Sequence, residues 1–189
     1  MSPIDPRWQN RGFSLLEVLI VVVLLGVVLA VVVPYAQVPV EPRLEAGAQL
    51  LASHLAYTRW LAVSYSDRYR LRFQVEQNQY VLEYAGSDPG KQTLPAGPLD
   101  APGQPPHQRI VSLEQWPTLG TPLRLYAVRD DQGNDLVSIT FASLGGTQAS
   151  RPSTVWLSGG AGDSLRFIPV RVHPVTGVVT VGEVQAAPP

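Results

Sequence analysis

From Val18 to Val33 every residue is apolar or glycine, and one carboxylate, Glu17, stands at the edge of that run. A membrane-crossing helix needs roughly 20 apolar residues at about 1.5 Å of rise each. Phe13 to Val33 supplies such a length with one charge. Ten Val and Ile lie between residues 18 and 33, which a lipid-embedded helix tolerates because its backbone groups must all pair internally. A secretory signal has a shorter apolar region followed by a small-residue cleavage site, and no such site follows here. Arg7 and Arg11 precede the run, and the next basic residue is Arg43. The positive-inside rule therefore predicts a cytoplasmic N-terminus, a single span over 13–34, and a chain that continues on the far side of the membrane. A carboxylate at the edge of such a run is costly in lipid, so a function is expected of Glu17. The plainer alternative is a signal anchor whose Glu17 snorkels to the interface.

The rest of the chain is enough for one ordinary domain. The 189 residues include no cysteine, which excludes disulfides, thiolate metal sites and cysteine nucleophiles. The formal net charge is −1, so the molecule has no bulk attraction for nucleic acid.

Pro34, Pro39 and Pro42 fall within nine residues. Each lacks a helix donor and disfavours helix at the residue before it, which predicts a kink or unwound stretch beginning at Pro34. Helix is expected to resume near Arg43 and to run to about Ser66. Leu44, Ala48, Leu51, Leu55 and Ala62 line one stripe with Leu61 beside it, and Arg43, Glu45, Gln49, Ser53 and Arg59 mostly fall off it. The domain boundaries are thus 1–12 as a leader, 13–34 as a span, 35–66 as a proline-kinked amphipathic helix and 67–189 as a β-rich domain.

Within that domain Tyr69, Leu71, Phe73 and Val75 alternate with Arg68, Arg70, Arg72, Gln74 and Glu76. With a turn at Gln77-Asn78 and a second alternation through Tyr80, Leu82 and Tyr84, residues 68–84 read as a hairpin. Ten of the 22 residues from Ala85 to Pro106 are Gly or Pro, which predicts a long, exposed, mobile insertion. Further strands are expected at 109–113, 123–129, 136–142, 153–158, 164–172 and 178–182, with 173–177 as a turn. Pro169 argues for an edge or a bulge. The fold class is α+β: a long N-terminal helix packed on an antiparallel sheet.

The candidate chemistry is sparse. His54, His107 and His173 have no ligand-like spacing. Ser158–Asp163 is glycine-rich but lacks the Lys-Ser/Thr of a phosphate loop and reads as a hairpin connection. Asp130, Asp131 and Asp135 surround Gly133-Asn134 and read as a β-turn in preference to a cation loop. No catalytic constellation, cofactor site or metal site is found, so no enzyme is expected. Arg68, Arg70 and Arg72 share one strand face, with Arg124, Arg129, Arg166 and Arg171 on other strands. Such a stripe suits phosphate contact, and equally a solvated face or interface ion pairs.

The segment Gly12-Phe13-Ser14-Leu15-Leu16-Glu17, after a short basic leader and before the apolar run, resembles the class III signal of type IV prepilins and type II secretion pseudopilins. The resemblance implies cleavage between Gly12 and Phe13 by a prepilin peptidase and methylation of the new Phe13 amine. It also implies pairing of Glu17 with the Phe13 amine of a neighbouring subunit, a helix kink at Pro34, and assembly with other pilin subunits through an inner-membrane platform. More loosely, the chain resembles the H-type minor pseudopilins and FimT-type minor pilins. The matching segments are Leu55–Ala62, the hairpin after it, Ile139–Gly145 and the closing strands around Gly177. This implies a minor subunit of a secretion pseudopilus or pilus, anchored in the inner membrane with a periplasmic domain before it enters a filament. Some FimT-type pilins act in DNA uptake through a basic motif after a closing glycine, whereas Gly177 is followed here by Val178, Val179 and Thr180.

Overall fold

A computed structural model describes residues 14–35, 40–116 and 123–188, with side chains in the first helix as far as Val28. Two compact units are present, 1–38 and 39–189. The first contains helix α1 (Leu15–Tyr35). Pro34 is helical, one residue before α1 ends. Residues 36–39 lie outside those described, and the expected unwinding there lies with them. Among the described residues no helix is long and apolar enough to cross a membrane.

The second unit opens with helix α2 (Val40–Ser64). It starts three residues earlier than the sequence predicts. Pro42 stands in its first turn, where the missing N–H would have no partner in any case. The predicted stripe is the buried one: Leu44, Ala48, Leu51, Leu55, Leu61 and Ala62 are all fully buried, while Glu45, Gln49 and Ser53 are exposed.

Two antiparallel sheets follow, where the sequence suggested one. The first runs β3 (Gln108–Ser112), β2 (Gln79–Tyr84), β1 (Tyr69–Gln74), β5 (Ser138–Phe141). The second runs β4 (Arg124–Asp130), β6 (Ser153–Gly159), β7 (Arg166–Val172), β8 (Val179–Val181). Helix α2 lies against β6, β7 and β8 of one sheet and against β1 and β5 of the other. One core thus joins the α2 stripe to Tyr69, Leu71, Phe73 and Tyr80 on one side and Val155, Leu157, Ile168 and Val170 on the other.

All eight predicted strands are present, with differences that have local causes. Val75 is not an inward strand residue: β1 ends at Gln74 and Val75 is exposed in the turn. Val81 is buried on the face opposite Tyr80 and Leu82. The insertion at 85–106 is mostly exposed, yet Leu94 and Leu99 reach the core. Arg109 holds the segment by an ion pair with Asp100 and hydrogen bonds to the Pro105 and Pro106 carbonyls.

Pro169 sits in an interior strand, paired with Trp156 of β6. Its other side explains why it is tolerated. The Phe167 N–H points toward the β8 side, where Phe167 and Gln185 exchange hydrogen bonds of 2.8 Å. The Pro169 nitrogen points the same way two residues on. It meets the break between β8 and that Gln185 bridge, where only the Pro169 carbonyl is used, accepting from Gly182. The expected irregularity is therefore in the neighbouring strand.

Candidate functional site

Helix α1 begins on Ser14, whose carbonyl accepts from the N–H groups of Glu17 and Val18 at 2.9 and 3.2 Å. Ser14 is thus the capping residue, and Glu17 is third in the helix, where the Ser-x-x-Glu spacing and the positive end of the helix dipole both favour a carboxylate. The sequence reading missed this local role, although the spacing signals it. The Glu17 side chain is exposed and has no hydrogen-bond or ion-pair partner among the described residues. Leu15 is 84% exposed, Val21 47% and Val28 54%, and the large apolar side chains between them are exposed to a similar degree. No face of this stretch is polar. Gly12 and Phe13, the expected cleavage and methylation positions, lie outside the described residues.

The arginine stripe is only partly as expected. Arg70 lies opposite Glu83 in the β1–β2 ladder, and its Nε donates to Glu83 Oε1 at 2.6 Å. Arg72 Nε donates to the same oxygen at 3.1 Å. Partial burial opposes ionisation of Glu83, but hydrogen bonds from Arg72 and Arg70 and their charges outweigh it, so its pKa is lowered. Arg68 precedes β1, and its guanidinium has no partner among the described residues. The other strand arginines are dispersed. Arg129 pairs with Asp135 at 3.0 Å, and Arg166 lies 3.8 Å from Glu41. Arg124 opens onto a cleft of about 370 Å³ that it shares with Glu76 and Glu114.

Asp130 accepts from the backbone N–H groups of Gln132 and Asn134 and from the Asn134 side chain at 2.8–2.9 Å. Its carboxylate is therefore engaged in closing the turn. Gly160 and Gly162, with φ of 87° and 55°, shape the β6–β7 connection as a hairpin loop.

The segments that carry the looser resemblance meet in space. Arg59 of α2 donates from Nε to the Gly145 carbonyl at 3.1 Å. A Cβ built on Gly177 would lie 1.9 Å from that same carbonyl oxygen and 3.0 Å from Arg59 Cδ. Gly145 and Gly177 have φ of 86° and 63°. One arginine thus joins the helix to a loop of each sheet. Asn78 does similar work elsewhere: it donates to the Leu123 carbonyl and accepts from the Leu125 N–H, both at 2.8 Å. His54, which the sequence left without a role, is buried with its Nδ1 hydrogen-bonded to the Tyr80 hydroxyl. Burial lowers its pKa to about 4.

Residues 9–33 match the family model described as the prokaryotic N-terminal methylation motif. Residues 15–33 of that match lie in helix α1. Among solved structures the chain is similar to the type IV minor pilin FimU of Pseudomonas aeruginosa. The identity is 17%, over 74% of this chain and 92% of that one, with a TM-score of 0.41. A second crystal form of FimU gives 14% identity, 78% and 90% coverage and a TM-score of 0.40. No curated protein matches the chain.

Proposed function

We propose that this chain is a minor pilin or pseudopilin, a structural subunit of a type IV pilus or type II secretion pseudopilus. A prepilin peptidase cuts between Gly12 and Phe13, the Phe13 amine is methylated, and α1 holds the protein in the inner membrane until assembly on a membrane platform with other subunits. The observation that carries this reading is the methylation motif over 9–33 on a helix that is apolar on every side, with one unpartnered carboxylate in its first turn. An unpaired carboxylate inside an apolar bundle is costly, and a neighbouring subunit's Phe13 amine removes that cost only in the correct register. The Arg70–Glu83–Arg72 cluster gives less support to a DNA receptor, because two of the three stripe arginines already face a carboxylate.

Mass spectrometry of protein extracted from membranes of cells that contain the peptidase tests the processing step. The expected N-terminus is N-methylated Phe13, and an intact Met1 terminus rejects the proposal. Glu17→Gln should leave that cleavage unchanged and remove the chain from sheared filament fractions.

A further inference from the structure

The two sheets have four edges, and on three of them the chain itself meets some of the outward backbone groups, while those of Ser138 on β5 and Ser112 on β3 have no partner among the described residues. Along β4, Leu125 N–H donates to Asn78, the Val128 carbonyl accepts from Leu136, and Asp130 N–H donates to the Asn134 carbonyl. On β5 the Thr140 carbonyl accepts from Gln148, and Phe141 bridges to Thr147. On β3 the Ile110 carbonyl accepts from Gln104 Nε2 at 2.6 Å.

On the fourth edge, β8, no outward backbone group is met by the described residues. The Val178 carbonyl accepts from His173 and the Gly182 N–H donates to Pro169, so residues 178, 180 and 182 face β7. By alternation the N–H and C=O groups of Val179 and Val181 face away from the sheet. None of these four groups has a partner among the described residues. The run Val178-Val179-Thr180-Val181 contains no charge and no proline. Natural edges are guarded by such residues, by bulges, by a covering loop or by shortness, and of these β8 has its length of three residues.

We infer that β8 is a strand-addition site for an extended, acidic segment of another protein, with an apolar–acidic–apolar pattern opposite Val179-Thr180-Val181. The pattern follows from the ladder. Val179 and Val181 pack on the core side and are half-buried, so the residues beside them should be apolar. Thr180 faces outward in a row that continues through Arg171, Thr154 and Arg129. Arg129 is paired with Asp135, whereas Arg171 is exposed with no carboxylate partner among the described residues. An added strand lies two strand spacings from β7, about 10 Å, which an arginine and a glutamate side chain span together. Beside this row Arg171, His173, Thr176, Val178 and Thr180 line an open cleft of about 500 Å³ that receives flanking side chains. A second copy fits less well. Antiparallel β8–β8 pairing would place no carboxylate opposite Val179-Thr180-Val181 itself, Glu183 lying two residues beyond the strand, and would leave two Arg171 side chains along one surface. The inference stands whether or not the chain is processed after Gly12.

The test uses the full chain in detergent micelles and fluorescence anisotropy of two labelled heptapeptides, one alternating Val with Glu and one alternating Val with Lys. The Val/Glu peptide should bind about three- to fivefold more tightly, the discrimination expected of one exposed ion pair. Val179→Pro should abolish binding by removing an outward N–H, with circular dichroism retained and the thermal midpoint lowered only by the loss of the half-buried valine side chain. Arg171→Glu, which leaves the backbone intact, should reverse the peptide preference. Equal binding of both peptides, an unchanged preference in Arg171→Glu, or self-association through β8 without peptide binding would each overturn the inference.

Discussion

The two helices of this chain have opposite relations to their own molecule. In α2 the apolar residues form a stripe, and Leu44, Leu51, Leu55 and Leu61 are all fully buried against two sheets. In α1 the apolar residues occupy every face, and from Leu15 to Val28 the large ones are all exposed. The first pattern is satisfied within the chain. The second is not satisfied by burial among the described residues. The difference separates residues that hold the domain together from residues that determine where it goes.

The largest expected effect tests that separation directly. Leu51→Ala should lower the stability of the folded domain by about 2–5 kcal/mol, as truncation of a fully buried leucine does. Val22→Ala should leave the thermal midpoint within the range of an ordinary surface change, about 0.5 kcal/mol. Thermal denaturation in one detergent compares the two. An equal loss from both would show that α1 is also packed within the molecule.

Acid should weaken the attachment of α2 next. His54 titrates near 6.5 in the unfolded chain and at about 4 when buried. Between those values the unfolded state binds the proton and the folded state does not. Stability is therefore present above about pH 6.5 and is lost as pH falls toward 4, by up to about 3 kcal/mol. His54→Gln should flatten that limb of the profile in urea titrations at stepped pH.

Gly177→Ala should cost about 1–3 kcal/mol from the left-handed backbone alone, with the close approach to the Gly145 carbonyl adding to it. Circular dichroism melts should show a lower midpoint, and Arg59→Ala should give a smaller drop in the same direction. An unchanged midpoint for Gly177→Ala would mean that the loops of the two sheets are not clamped at Arg59. The smallest effect is expected at Glu83, whose partners are partly exposed. Glu83→Gln should lower stability by no more than about 1 kcal/mol at neutral pH. The difference should vanish in acid, because the lowered pKa of Glu83 adds stability only above its unfolded value and loses it as pH falls through the folded one. Nucleic-acid binding by Glu83→Gln but not by the parent chain would show that the Arg68/Arg70/Arg72 stripe is held in check by this carboxylate.

Much of the architecture was legible because local periodicity carries it. Period 3.6 through Leu44–Ala62 and period two through Tyr69–Phe73 identified the faces that are in fact buried. Leu94 and Leu99 were misread because what covers them lies in distant segments, and Val75 because β1 ends one residue before it. The capping position of Ser14 was written in the Ser14–Glu17 spacing and went unread. The Arg70–Glu83–Arg72 cluster required the β1–β2 register, and the unmet backbone groups of β8 required its register with β7.

The sequence by itself determined that the chain has an apolar N-terminal segment with one carboxylate at its edge, an amphipathic helix and eight strands. These are properties of neighbouring residues and their spacing. Only the tertiary structure decided that the strands divide into two sheets, that Arg59 clamps a loop of each, that His54 is held neutral against Tyr80, and that the outward backbone groups of β8 have no partner among the described residues. Strand partners are chosen by the fit of whole faces across long stretches of chain, and pairing of that kind leaves no periodic trace in the residues that take part in it.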